Sequence, residues 1–334
     1  MSAGVPAALL VRAPNWLGDT VMAQPALAGL RAALPEATIT VVGRWASALR
    51  GQGIGDALLD YPASAARRRF ARALAGARPE LAVVLPNSFE AARSARRWGA
   101  RQCVGFDTDA RGLYLTHRVP LPEPRRHQVD EYRMLVEALD VPAPLTEPRL
   151  RRPDDPAAEA EVGALLASSA PRGDGPLVGL HLGAAGGSAK RWRPEGWAAL
   201  ARRLARAGCR PLLLGGPAEV AIDATVRELS PAPPPSLVGR DRPALLPHLL
   251  TRLGCLVSGD TGVAHLAAAL GVPTITLFGP TDPRLSAPRS PRARVVAPGA
   301  PCAPCFLAAC PIDHVCMKAI DADTVAARVR EALA

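Results

Sequence analysis

Residues 253–281 constrain the fold more tightly than any other stretch of the chain. Leu253 to Val257 is an apolar run of strand length, and Ser258-Gly259-Asp260 reads as a tight turn. Thr261 opens a helix of small residues that stops at Gly271, ahead of Pro273. Thr274 to Phe278 is a second apolar strand, closed by the turn Gly279-Pro280-Thr281. Strand, turn, helix and strand in this order belong to a parallel sheet, where the free amides of the helix N-terminus point out of the carboxyl edge. That is a ready seat for a phosphate. Asp260 and Thr261 are expected to supply capping oxygens, Gly262 to let a ligand approach the backbone, and His265 to lie one turn along the same face. A capped helix with a histidine at the core edge is the plainer reading. It accounts poorly for His265, because the helix continues Leu266, Ala267, Ala268, Ala269, Leu270.

The same alternation runs through the rest of the chain. Strands are expected at Ala8 to Arg12, Thr38 to Val42, Leu81 to Leu85 and Gln102 to Gly105, with helices at Asp19 to Leu34, Phe89 to Trp98 and Val129 to Leu139. From Pro142 to about Pro176 the composition turns Pro-rich and charged, and Pro153-Asp154-Asp155-Pro156 reads as the start of a helix through Leu166. A second series follows: strand Leu177 to His181, helix Glu195 to Ala207, strand Pro211 to Leu214 and helix Ala218 to Leu229. A last helix, Asp321 to Leu333, closes the chain. The expected fold class is therefore α/β, as two Rossmann-like, doubly wound domains facing one another across a cleft. The expected divisions are residues 1–165, residues 166–320, and a C-terminal helix over 321–334 that packs back on the first domain.

At 334 residues the chain is long enough for two cores, and 49% apolar residues with only 4% aromatic ones suit an aliphatic α/β interior. No apolar run approaches the roughly 20 residues that span a bilayer. Val5 to Val11 is too short for a signal peptide and leads straight into Arg12-Ala13-Pro14-Asn15, so a cytoplasmic location is expected. The net charge of +10 does not point to nucleic acid, because the basic residues are scattered and nearly all arginine; the lysines are Lys190 and Lys318 alone. Arg67-Arg68-Arg69 and Arg125-Arg126 are either solvated surface or contacts for an anionic substrate or membrane. Of seven cysteines, Cys103, Cys209 and Cys255 sit alone in apolar surroundings. Cys302, Cys305, Cys310 and Cys316, with His314 among them, leave three readings open: packed thiols, a structural metal or disulfides.

Chemistry is expected in the loops that follow the early strands. In the first domain, Asn15, an exposed Trp16 and the carboxylate of Asp19 come together where open α/β sheets bind ligands; a carboxylate there serves either as a helix cap or as a general base. In the second, Gly183 to Trp192 is a glycine-rich loop ending in Lys190-Arg191. It lacks Walker A spacing, and its paired cations suit a diphosphate. Glu219, just after Gly215-Gly216-Pro217, is placed either to bind ribose hydroxyls or simply as a first-turn glutamate. No GxGxxG follows a strand, which argues against a dinucleotide oxidoreductase.

Three motifs, Leu10-Val-Arg-Ala-Pro-Asn-Trp-Leu-Gly-Asp-Thr-Val-Met-Ala-Gln-Pro-Ala-Leu27, Ala189-Lys-Arg-Trp192 and Ser258-Gly-Asp-Thr-Gly-Val-Ala-His-Leu266, occur in this order. They resemble the ADP-heptose:lipopolysaccharide heptosyltransferases of glycosyltransferase family 9, and the resemblance runs from about residue 8 to residue 330. The Asn15-Trp-Leu-Gly-Asp19 form, Leu85-Pro-Asn-Ser-Phe89 and the cysteine-rich stretch look like the heptosyltransferase II branch. The resemblance implies a GT-B fold, acceptor in the N-terminal domain, nucleotide sugar in the C-terminal one, and inverting transfer without a metal or other cofactor. By motif, Asp19 is the base and Lys190 holds the diphosphate. Glu219 holds the ribose, Asp260, Thr261, Gly262 and His265 hold diphosphate and donor sugar, and Asn15, Trp16, Asn87 and Ser88 contact the acceptor. Ala184, Ala185, Gly186 and Gly187 stand where the heptosyltransferase I pattern has hydroxyl residues, so backbone amides must substitute there. The implied partners are ADP-heptose and a lipid-linked lipopolysaccharide core on the cytoplasmic face of the inner membrane. Alternatives are heptosyltransferase I, a transferase for another sugar, or a non-catalytic glycan-binding homologue.

Overall fold

The computed structural model describes residues 6–62, 67–76, 78–169, 173–184 and 186–334. By internal contacts the chain divides into two units, up to Leu150 and from Arg151 onward. In the first unit, short apolar runs form the strands β1 (Ala8–Arg12), β2 (Thr38–Gly43), β3 (Ala57–Asp60), β4 (Leu81–Val84) and β5 (Gln102–Phe106), and the polar His117–Val119 adds β6 at the edge. They pair in parallel in the order β3-β2-β1-β4-β5-β6, with Leu10 of β1 opposite Thr40 of β2 and Ala82 of β4. Helix Phe89–Arg97 lays Ala91, Ala92 and Ala95 on this sheet, and Trp98 fills the space left by the small side chains. Its start is fixed by the Ser88 hydroxyl, which accepts the Ala91 N–H at 3.3 Å.

The second unit begins with helix Pro156–Ser169, capped by Asp155 Oδ1 accepting the Ala158 N–H at 3.0 Å. Its strands are β7 (Leu177–His181), β8 (Arg210–Leu214), β9 (Cys255–Gly259), β10 (Thr274–Leu277) and β11 (Ala293–Val296). All pair in parallel, in the order β11-β10-β9-β7-β8. Every residue of β7, β9 and β10 is buried, as expected for a parallel sheet covered on both faces.

The structure corrects several expectations. The long N-terminal helix is two pieces, Leu17–Met22 and Gln24–Ala33, because Pro25 has no N–H to continue the ladder. The division falls at Leu150 rather than residue 165, so helix Pro156–Ser169 belongs to the second unit. The C-terminal helix Ala322–Leu333 belongs to the second unit, with Val325, Ala326 and Val329 in that unit's core. Burying each valine there contributes about 1.5 kcal/mol or more. Asp323 adds a two-pronged ion pair with Arg203 of helix Pro194–Arg206. Strands β3, β6 and β11 and helices Arg67–Gly76 and Leu246–Leu250 were not expected; their apolar runs are short or masked by arginine. Among the described residues, no helix is long and apolar enough to cross a membrane.

Candidate functional site

Each sheet has one place where the winding direction reverses, and the loops leaving the two strands there diverge and open a crevice. In the first unit the reversal lies between β1 and β4. The loop after β1 carries Asn15 and Trp16, and the helix that follows carries Asp19 in its first turn. Trp16, at 57% exposure, is the N-cap residue, with no side-chain hydrogen bond into the helix. Asp19 is therefore not the cap. Its Oδ1 accepts the O–H of Tyr132 at 3.2 Å, and Tyr132 is buried in helix Gln128–Glu137. Burial and then the charge of Asp19 hold the Tyr132 phenol well above its ordinary pKa, so it stays a hydrogen-bond donor.

Arg12, at the end of β1, is fully buried. Its Nη2 donates to Asn15 Oδ1 at 2.9 Å and lies 3.8 Å from Glu90, and its guanidinium stacks 4.9 Å from the Tyr61 ring centroid. Its Nε has no hydrogen-bond partner among the described residues. Burial lowers the Arg12 pKa, with Glu90 acting in the opposite sense. The loop after β4 carries Asn87 and Ser88. A second buried arginine, Arg111, clamps its main chain: Nη1 donates to the carbonyls of Pro86 and Ser88 while Nε donates to Phe106 at 2.7 Å. Burial pulls Arg111 down to about 10. The Thr108 hydroxyl donates to the Asn87 carbonyl at 2.9 Å, and Asn87 Oδ1 is buried without a hydrogen-bond partner among the described residues. The Ser88 oxygen accepts the helix-cap bond, which does not use the hydroxyl's own hydrogen.

In the second unit the reversal lies between β7 and β9, and the loops leaving these strands carry Lys190 and Asp260. Lys190 Nζ meets Asp260 Oδ2 at 2.6 Å, with side chains 21% and 9% exposed, and the Thr281 hydroxyl donates to the same oxygen at 2.9 Å. The expected caps are a correction. The N-cap residue Thr261 makes no side-chain cap bond to helix Gly262–Ala269; Asp260 is engaged by Lys190 and Thr281, and Thr261 Oγ1 pairs with Ser258 Oγ at 2.9 Å. The first amides of that helix thus have no side-chain partner from its N-cap residue. His265 is buried within it.

Glycines let these groups close on one another. Gly183 faces the His181 ring and the Glu219 carboxyl; a Cβ there would lie 2.6 Å from His181 Cε1 and 3.4 Å from Glu219 Cδ. Glu219 is buried. His181 is pulled down to about 4 by burial, so it is neutral at pH 7. Gly186 lies against the Lys190 stem. Gly187, at φ +125°, has the Ala308 carbonyl 2.2 Å from where a Cβ would stand, and that carbonyl accepts the Ala189 N–H at 3.1 Å. The cysteine-rich stretch therefore underlies the lysine loop. Ala185, expected to offer an amide here, lies outside the described residues.

Cys302 is exposed, Cys305 and Cys310 are partly buried and Cys316 is buried, all as free thiols. Among the described residues, no group of three or more His, Cys, Asp or Glu side chains is placed to hold a metal ion. Arg125 of the second arginine cluster is bonded at 2.7 Å through Nε and Nη2 to the buried Glu131. Arg67 stacks 4.9 Å from the Tyr61 centroid, and Arg68 and Arg69 are exposed. Sequence reasoning missed Tyr132, Arg12 and Arg111. A buried arginine at a strand end is a signal in retrospect, but the Tyr132 contact spans 113 positions and left none.

Residues 67–316 match the profile of glycosyltransferase family 9 (heptosyltransferase). Lipopolysaccharide heptosyltransferase 2 of Salmonella typhimurium is 30% identical over 86% of this chain and 87% of its own length. The Escherichia coli protein of the same name is also 30% identical over 86% and 87%. The solved E. coli ADP-heptose lps heptosyltransferase II superposes with a TM-score of 0.81 at 25% identity, covering 98% of both chains. With its two doubly wound parallel sheets, the chain has the α/β fold of the GT-B class.

Proposed function

This chain belongs to glycosyltransferase family 9 and is a glycosyltransferase, and we propose that it transfers heptose from ADP-heptose to the heptosyl-Kdo2-lipid A inner core of lipopolysaccharide. The transfer inverts the anomeric centre and needs no metal ion. The observation that carries this reading is the Lys190–Asp260 pair at the reversal point of the second sheet, beside a helix start without a side-chain cap. A cation and free amides converging there suit a diphosphate.

In this mechanism the donor lies on the second unit. Lys190, the amides around Gly186, Gly187 and Gly262, and the polar groups of Asp260, Thr261 and His265 hold the diphosphate and sugar, while Glu219 takes the ribose hydroxyls. Asn15, Trp16, Asn87 and Ser88 hold the acceptor on the first unit. Asp19 removes the proton from the acceptor hydroxyl as that oxygen attacks the anomeric carbon, and the bond from that carbon to the diphosphate oxygen breaks on the opposite face. ADP departs with a charge that grows along the reaction, and Lys190 meets it. Electrostatic stabilisation of this kind acts on the transition state more than on the ground state. Tyr132 holds the orientation of Asp19 through its hydrogen bond. The lipid-linked acceptor places the protein at the cytoplasmic face of the inner membrane, and the relatives named heptosyltransferase 2 support addition of the second heptose.

The test is mass spectrometry of products from ADP-heptose with Kdo2-lipid A or its heptosylated form, run in EDTA. One heptose added to the heptosylated acceptor, and none to the other, is expected. Transfer only to the unheptosylated acceptor, no transfer at all, or transfer that returns only with Mg²⁺ or Mn²⁺ would overturn it.

A further inference from the structure

At the β8 end of the carboxyl edge, a carboxylate outside every motif sits against the turn Gly215-Gly216. Residues 236–241 run along β8: Leu213 and Ser236 form a parallel bridge, Leu237 N–H donates to Leu213 at 2.9 Å, and Gly239 N–H donates to Gly215 at 2.7 Å. This brings Asp241 beside the turn, where its Oδ2 accepts the Gly215 N–H at 2.9 Å. Its Oδ1 is buried and has no hydrogen-bond partner among the described residues. From the other side, Glu219 packs so closely that a Cβ on Gly215 would stand 2.9 Å from Glu219 Cβ, and a Cβ on Gly216 would stand 3.5 Å from Oε2. Two carboxyl groups therefore flank one glycine turn.

Holding the turn needs only one acceptor, which an asparagine supplies without burying charge. A buried carboxylate oxygen with nothing to accept from is costly, and such groups call for an occupant. Burial pushes the Asp241 carboxyl up to about 7, and the nearby charge of Glu219 adds to it, against the hydrogen bonds from Gly215 and its own N–H. A donor group placed at Oδ1 relieves that cost.

We propose that Asp241 is a specificity-determining residue of the donor nucleoside site, with Oδ1 accepting a hydrogen bond from an N–H or O–H of the nucleoside. This rests on the nucleotide-sugar reading given above. The donor is either the exocyclic amine of adenine or a ribose hydroxyl. A bound N–H or O–H donor favours the ionised form of Asp241, which accepts but does not donate, so the same oxygen then repels a keto oxygen at that place and leaves hypoxanthine or uracil poorly matched.

The experiment is calorimetric titration of the full chain, as wild type and Asp241→Asn, with ADP, IDP, 2′-deoxy-ADP and 3′-deoxy-ADP. Circular dichroism melts establish that each variant is folded. One analogue, the one lacking the group that Asp241 reads, should bind wild type about 10- to 100-fold more weakly than ADP, the range for a hydrogen bond to a charged group. Asp241→Asn should weaken ADP by a similar factor and shrink the penalty for that analogue to about threefold or less. Loss with IDP identifies the base amine, and loss with a deoxy analogue identifies the ribose. Equal binding of all four ligands by the wild type, or full discrimination kept by Asp241→Asn, overturns the proposal. Wild type that binds no ADP overturns the nucleotide reading with it. ADP binding that is lost in Lys190→Ala but unchanged at Asp241 overturns the Asp241 assignment alone.

Discussion

Replacing Lys190 with methionine separates what the Lys190–Asp260 pair does for stability from what it does for ligand. Asp260 is 9% exposed, and its Oδ2 has Lys190 at 2.6 Å and the Thr281 hydroxyl at 2.9 Å. Without the lysine a nearly buried charge keeps one neutral donor. Breaking a fully buried pair costs about 3–5 kcal/mol. Lys190 is 21% exposed and the Thr281 bond survives, so about 2 kcal/mol is the better figure here. For a unit of this size that is a fall in Tm of about 4–8 °C. Lys190→Met with Asp260→Asn removes both charges in nearly the same volume, and at least half the loss should return, because the uncompensated carboxylate has gone. The thermal shift on adding saturating ADP should be present in the wild type and much reduced in both variants. Thermal melts with and without ADP read all of this. Additive losses in the double variant, or an undiminished ADP shift in Lys190→Met, would refute the argument.

Gly187→Ala places a methyl group 2.2 Å from the Ala308 carbonyl at φ +125°, so it should cost about 1–3 kcal/mol and weaken ADP binding, read by melts and titration; unchanged values would mean that the cysteine-rich stretch does not shape the lysine loop. Asp241 has a folded pKa of about 7 against an ordinary carboxylate value near 4, so the stability it adds is complete below that ordinary value and lost as pH rises toward 7. Asp241→Asn should therefore be more stable than wild type at pH 8, by up to about 4 kcal/mol, with the difference vanishing toward pH 4 in denaturant titrations. His181 acts in the opposite sense: at about 4 against an ordinary 6.5, its contribution is complete above pH 6.5 and lost as pH falls toward 4, and an NMR titration of that ring showing a midpoint near 6.5 would contradict its burial.

The alternation of strands and helices was legible because parallel strands buried on both faces carry unbroken apolar runs, as in Leu177–His181 and Cys255–Gly259. The loops that follow them were legible for the same reason: a strand end followed by glycine and polar residues has few roles other than binding. What escaped were pairings decided in three dimensions. Asp260 and Thr261 have the local pattern of caps, yet Lys190, 70 positions away, and Ser258 claim their oxygens. Tyr132 reaches Asp19 only because helix Gln128–Glu137 brings it there. Short edge strands such as Ala57–Asp60 and Ala293–Val296 are too brief and too exposed to leave a period in the sequence. Asp241 lies in a loop whose register on β8 is set by backbone bonds, to which composition is blind.

The central claim is that Asp19 is the base and the second unit holds the nucleotide sugar. It is tested most directly by measuring heptose transfer and ADP binding on the same samples of wild type and Asp19→Asn. Asparagine keeps an acceptor for Tyr132 while removing the charge and the capacity to take a proton. ADP affinity should stay within about twofold, while kcat at saturating acceptor falls at least about 100-fold, the scale of a lost general base. Near-normal kcat in Asp19→Asn would contradict the account.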